Sequence, residues 1–155
     1  MQIVDKSTLD GLSAAARQAP RLRKNHNLHA GDASAAHRLF NALEPGTYIR
    51  PHRHLDPEKD ETFLLIRGTL GILTFDEAGK VSETCLLSAA GERLAADIPH
   101  GVYHTAVCLE SGTIFFEAKA GPYLPLTAEE TAGFAPQEGS AEAASYLEQL
   151  SAHFR

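Results

Sequence analysis

The chain has 155 residues, 14 of them Lys or Arg and 20 Asp or Glu, for a formal charge of −6 with histidine neutral. That length fits one domain with a real core, and the acidic balance argues against nucleic acid as a partner, which calls for a basic face. The two cysteines, Cys85 and Cys108, cannot build a disulfide framework; no apolar run nears the roughly 20 residues of a membrane span, and the N-terminus lacks a signal peptide's apolar core, so the expected setting is the cytoplasm, with no membrane partner.

Residues 8–19 read as a helix. Leu9, Leu12, Ala16 and Ala19 share a face, Ser7 and Asp10 suggest a capping box, and Pro20 closes the segment. In the next stretch, RLRKNHNLH, an extended chain puts Asn25, Asn27 and His29 on one side, with His26 and Leu28 opposite. Two readings stand open. One is an edge strand with a solvated, charged face. The other is a polar arm at a pocket mouth, where Asn25, Asn27 and His29 hold substrate hydroxyls.

From residue 37 the texture becomes β. HRLFNAL, TYIRPHRH, TFLLIRG, TLGILTF, VSETCLL, GVYHTAVCL and GTIFFEAKAG are short runs rich in β-branched, leucine and aromatic residues, punctuated by Gly, Pro and Asp. With no helical pattern between them, they predict an antiparallel sandwich or barrel. Gly68 and Gly71 are expected to flank a tight bend. A Pro- and Gly-rich connection follows, then AEAASYLEQLSAHF, an amphipathic helix with Ala143, Tyr146, Leu147 and Leu150 at helical spacing and Ser140 as cap. The expected organisation is residues 1–36 as helix and polar arm packing on the barrel, 37–125 as the barrel, and 126–155 as connection and helix, one structural domain in all.

Eight histidines are many for this length. His52 and His54 stand two apart, so on an extended segment they project together. Glu61 opens the apolar run behind them and can reach the same space if that strand pairs back. Two imidazoles and a carboxylate converging on one point describe a divalent-metal site.

These residues resemble the first motif of the cupin family, with Gly46, His52, His54, Glu61 and Gly68 in its places. Six residues separate His54 from Glu61, where the motif has three or four. Glu58 satisfies the shorter gap but has no glycine seven residues on, so Glu61 is preferred and Glu58 held in reserve. The second cupin motif is met by Gly91, Pro99-x-Gly101-x-x-His104, and Cys108 in the place of its asparagine, with seven residues rather than five between Gly91 and Pro99. The wider pattern, including APRLRKNHNLH, RLFNALEPGTYIRPHRH and FFEAKAGPYLP, resembles the WbuC-type cupin-fold metalloproteins. The resemblance implies an all-β cupin fold (a jelly-roll type antiparallel β-barrel) with short N- and C-terminal helices. It also implies His104 as a third imidazole ligand and an association with surface-polysaccharide biosynthesis.

Three histidines and one carboxylate leave two open positions on an octahedral ion, which suits one divalent Fe, Mn, Ni or Co, with Zn also admissible. The preferred function is an enzyme using that ion as a Lewis acid or dioxygen site on a small polar substrate, such as a sugar derivative; isomerase, epimerase and dioxygenase chemistry all fit. The alternative is a non-catalytic small-molecule binder or sensor, and a third reading makes the metal purely structural. Further substrate-binding candidates are Arg50, on the ligand face if the strand is regular; Lys59, either closing over the pocket or an exposed loop charge; Tyr103; and Cys108, near the metal or a buried filler. His100 is a rim residue. A homodimer formed by sheet edges or terminal helices is expected, with a small molecule as the other partner.

Overall fold

The run Glu61–Arg67 alternates strictly: Glu61, Phe63 and Leu65 are buried, while Thr62, Leu64 and Ile66 face outward. That period of two is what a strand with one face on a core requires. In the computed structural model, which describes residues 1–155, the order is α1 (Lys6–Gln18), β1 (Arg23–Asn27), β2 (Ala36–Leu43), β3 (Glu61–Arg67), β4 (Thr69–Phe75), β5 (Val81–Ser88), β6 (Ala95–Ile98), β7 (Tyr103–Cys108), β8 (Thr113–Ala120) and α2 (Ala143–Ala152). Two antiparallel sheets face each other, β1-β2-β8-β3-β6 and β5-β4-β7. This is the all-β jelly-roll type barrel of the cupin kind, with a short helix near each end of the chain. No helix is long and apolar enough to cross a membrane.

Between the sheets lies a core of Leu43, Phe63, Leu65, Leu70, Ile72, Leu87, Ile98, Ala106, Cys108 and Phe115. Every residue of β7 is buried, because its outer face is covered too: Tyr103 and Val107 pack with Ala132, Ala135 and Leu150 of the C-terminal segment. Helix α1 lays Leu9, Leu12 and Ala16 on Ala42 and Ile114, on the outside of β2 and β8.

Local details differ from expectation. Helix α1 starts earlier, capped not by Ser7 but by Asp5, whose carboxylate accepts from the Thr8 amide at 2.9 Å and from the Ser7 and Thr8 hydroxyls. An acid is favoured there by the helix dipole. Ala19, placed before Pro20, is extended and lies outside the helix. Helix α2 begins at Ala143 with Glu142 at its N-cap, so Ser140 does not cap it. Gly68, at φ +79°, makes the β3–β4 turn alone. Gly71 lies inside β4, where a Cβ would overlap the Phe154 ring.

Candidate metal centre

The inward-facing columns of the barrel change from apolar to polar at one end. On β3, Phe63 gives way to Glu61; on β7, Ala106 to His104; on β8, Phe115 to Glu117 and Lys119; on β2, Leu43 to Asn41. Pairing sets the level, since Glu61 stands opposite Lys119, and Phe63 opposite Glu117, across β3 and β8.

The segment carrying His52 and His54 lies beside β7. His52 N–H donates to the His104 carbonyl at 3.0 Å, and His104 N–H returns a bond to the His52 carbonyl at 2.8 Å. The Pro99–Gly101 turn is tied to both neighbouring segments. The Gly101 amide donates to the His54 carbonyl at 2.7 Å, while the His100 amide and ring both reach Asp60, the residue before Glu61, at 2.7 and 2.8 Å. His100 is thus a rim residue that holds the approach to Glu61.

These constraints bring His52, His54, Glu61 and His104 together, with one ligand atom of each within 4.8 Å of all the others. Ligand distances of about 2.0–2.2 Å put donors around one ion no more than roughly 4.4 Å apart, so small side-chain adjustments close the shell. The donor types fit a divalent transition metal. His52 Nδ1 is 3.1 Å from the Arg50 carbonyl, and His104 Nδ1 is 2.9 Å from the Val102 carbonyl. A carbonyl only accepts, so each Nδ1 donates its proton there and Nε2 is the ring atom turned inward. His104 Nε2 then faces Glu61 Oε2 at 3.0 Å, and His54 Nε2 faces Oε1 at 2.8 Å. The inward nitrogens and the carboxylate oxygens thus converge on one point, where a cation would find its donors.

Burial, reinforced by the neighbouring His104, pushes His52 down to about 3, so the ring is neutral. Burial opposes the Glu61 charge, but the nitrogens of His104 and His54 and the Lys119 ammonium outweigh it and hold the carboxyl well below the usual range.

Lys119 bonds Glu61 and also Glu117, at 2.7 Å, while Asn41 donates to Glu117 at 2.8 Å. Burial disfavours the Lys119 charge, but the two carboxylates prevail and raise its pKa. Burial pushes Glu117 up, against the pull of Lys119. With Arg23, these three residues line a cavity of about 170 Å³ that also touches His52, Glu61 and His104. None of the four is among the sequence candidates. The signal was present in FFEAKAG, where a period of two puts Glu117 and Lys119 on the face of buried Phe115.

The other candidates lie elsewhere. Glu58 is exposed in the preceding loop and is not part of the four-residue cluster. Arg50 does not line the cavity; the segment is not a regular strand, and its guanidinium donates to the Ala132 carbonyl at 2.8 Å. Lys59 is not an exposed loop charge: it is buried, donates to the Pro122 carbonyl at 3.1 Å, and lines an outer groove beside His54. Asn25 and Asn27, on the edge strand β1, bond each other at 2.6 Å on the surface. His29 is buried and stacked on His37, with ring centroids 4.0 Å apart. The Tyr103 hydroxyl donates to the Glu129 carbonyl at 3.0 Å. Cys108 shares the inward face of β7 but sits in the apolar core, its thiol donating to the Glu110 carbonyl at 3.1 Å.

Among solved structures, the chain is similar to KdgF from Halomonas sp., with TM-score 0.51 and 18% identity over 66% of this chain and 82% of that one. It is also similar to the conserved protein SPY1581 from Streptococcus pyogenes, with TM-score 0.53 and 14% identity over 79% and 90%. A cupin-2 domain containing protein from Shewanella frigidimarina aligns with TM-score 0.47 and 23% identity over 63% and 79%. These likenesses concern the fold. Comparison with curated proteins gives no match. Residues 4–87, more than half of the chain, match one family model, and the protein belongs to the family it describes, Domain of unknown function (DUF6016).

Proposed function

We propose that the protein is a mononuclear metal-binding cupin whose His52, His54, Glu61 and His104 hold one divalent transition metal, and that it is an enzyme acting on a small polar substrate. The observation that carries this reading is the convergence of three imidazoles and a single carboxylate on one point, in a cluster that continues into a lined cavity. A bound cation would act there as a Lewis acid, polarising a substrate carbonyl or hydroxyl oxygen. The chain's own groups do the rest. The Arg50 and Val102 carbonyls fix the ring orientation of His52 and His104. Lys119 stabilises the ionised form of Glu61, and the apolar floor of Leu43, Phe63 and Phe115 limits the water present. Glu117 and Asn41 offer hydrogen-bonding groups to substrate hydroxyls.

The test is elemental analysis of protein purified without an affinity metal, alongside His52→Ala, Glu61→Ala and Glu58→Ala. The expected result is one metal per chain in the parent and in Glu58→Ala, with sharp loss in the other two. Full loading of Glu61→Ala with loss in Glu58→Ala would move the carboxylate role to Glu58. Equal loading of all four proteins would dispose of the site.

A further inference from the structure

The metal reading leaves the ligand open, and the inference here rests on that reading. Three of the four proposed metal-binding residues, His52, Glu61 and His104, line the inner cavity, whereas His54 alone touches the outer groove. A molecule completing the coordination shell therefore meets the inner cavity. Its volume of about 170 Å³ is a small space beside the proposed metal position, suited to the chelating end of a ligand.

Charge narrows the class further. The cavity has two cationic side chains, and both are committed. Arg23 pairs with Glu138 at 2.9 Å and donates to the Tyr48 carbonyl at 2.8 Å. Lys119 is shared between Glu61 and Glu117. A phosphate group would need several charge-assisted donors, and none is free. With a dication bound, two carboxylates and one ammonium leave a single positive charge, matched by a neutral or singly charged ligand. The wall opposite the proposed ligands carries Glu117, Lys119 and Asn41, which suits hydroxyl groups.

We propose that the cavity takes a phosphate-free, short-chain chelating molecule, a hydroxy-acid or hydroxy-ketone, bound through two oxygens to the metal, with a hydroxyl held by Glu117 and Asn41. The test loads the full chain with Co²⁺, measures stoichiometry, and titrates it with glycerate, dihydroxyacetone, glucose 6-phosphate and UDP-glucose while following the cobalt visible spectrum. Glycerate or dihydroxyacetone should shift the spectrum saturably, and the two phosphorylated compounds should not. Glu117→Gln should keep full cobalt loading and weaken the binding roughly tenfold, the loss expected for one hydrogen bond to a charged group. A saturable shift with either phosphorylated compound, or none with the two short chelators at full cobalt loading, overturns this proposal and leaves the metal reading intact. Failure to bind cobalt sinks the metal reading, and this proposal with it.

Discussion

Glu61 and Lys119 stand directly opposite each other across the β3–β8 ladder, and their side chains form an ion pair inside the barrel. The pair is extended by Glu117, so one ammonium serves two buried carboxylates. Lys119→Met removes the ammonium that the two carboxylates share. Leaving a buried charge uncompensated costs about 3–5 kcal/mol. Denaturant unfolding in EDTA should show a loss of that order, and added metal should recover part of it. An equal loss with and without metal would mean that the lysine acts through packing alone.

A second ion pair governs acid behaviour. Arg21 and Arg23 clasp Glu138 and tie the C-terminal segment to β1. The hydrogen bond from Arg21 outweighs partial burial and lowers the Glu138 pKa. A carboxylate with a lowered folded pKa adds stability above its unfolded value, near 4.5, and loses it as pH falls through the folded value. Glu138→Gln should therefore cost about 1 kcal/mol at pH 7, a modest figure because the pair is partly solvated. The difference from the parent should shrink only as acidification passes through the lowered folded value, below about 4.5. A gap that persists at low pH would point to shape rather than charge.

The two thiols should separate in reactivity. Burial pushes Cys108 up to about 11, and it is enclosed in the core, while Cys85 is half-exposed. At pH 8 a disulfide reagent should modify Cys85 in the native protein and Cys108 only after unfolding. Rapid native labelling of Cys108 would contradict its placement in the core.

Gly71 and Phe154 form a packing pair between β4 and the chain end. Gly71→Ala should destabilise by about 1–3 kcal/mol, the usual range for overpacking. Combining it with Phe154→Ala should relieve the clash, so the double mutant should be more stable than the sum of the single losses predicts. Strict additivity would show that the ring moves aside freely.

Much of this was legible in the chain. The strand texture from residue 37 onward anticipated the barrel; the spacing of His52, His54 and Glu61, with His104 implied by the cupin resemblance, pointed to the residues that the fold gathers. The misses have physical causes. The Arg50 placement assumed a regular strand, but Pro51 has no N–H and the segment pairs only at isolated bridges. Of the two readings of Lys59, the exposed loop charge fails, because the carbonyl of Pro122, distant in sequence, receives its ammonium. Glu117 and Lys119 were passed over because charged residues on a strand are normally its wet face. Their period of two with Phe115 carries the signal, and the register with Glu61 shows that they point inward.

The bridge from His52 to Thr131 reaches further than its size suggests. Arg53 N–H donates to Glu130 at 2.8 Å and Ala132 N–H to Pro51 at 3.1 Å, so the ligand-bearing segment is flanked on its second side by chain that comes after the barrel strands. Synthesis from the N-terminus would therefore complete every proposed metal-binding residue before the clamp that steadies two of them exists. A chain cut short at residue 125 would keep all four donors yet hold them loosely.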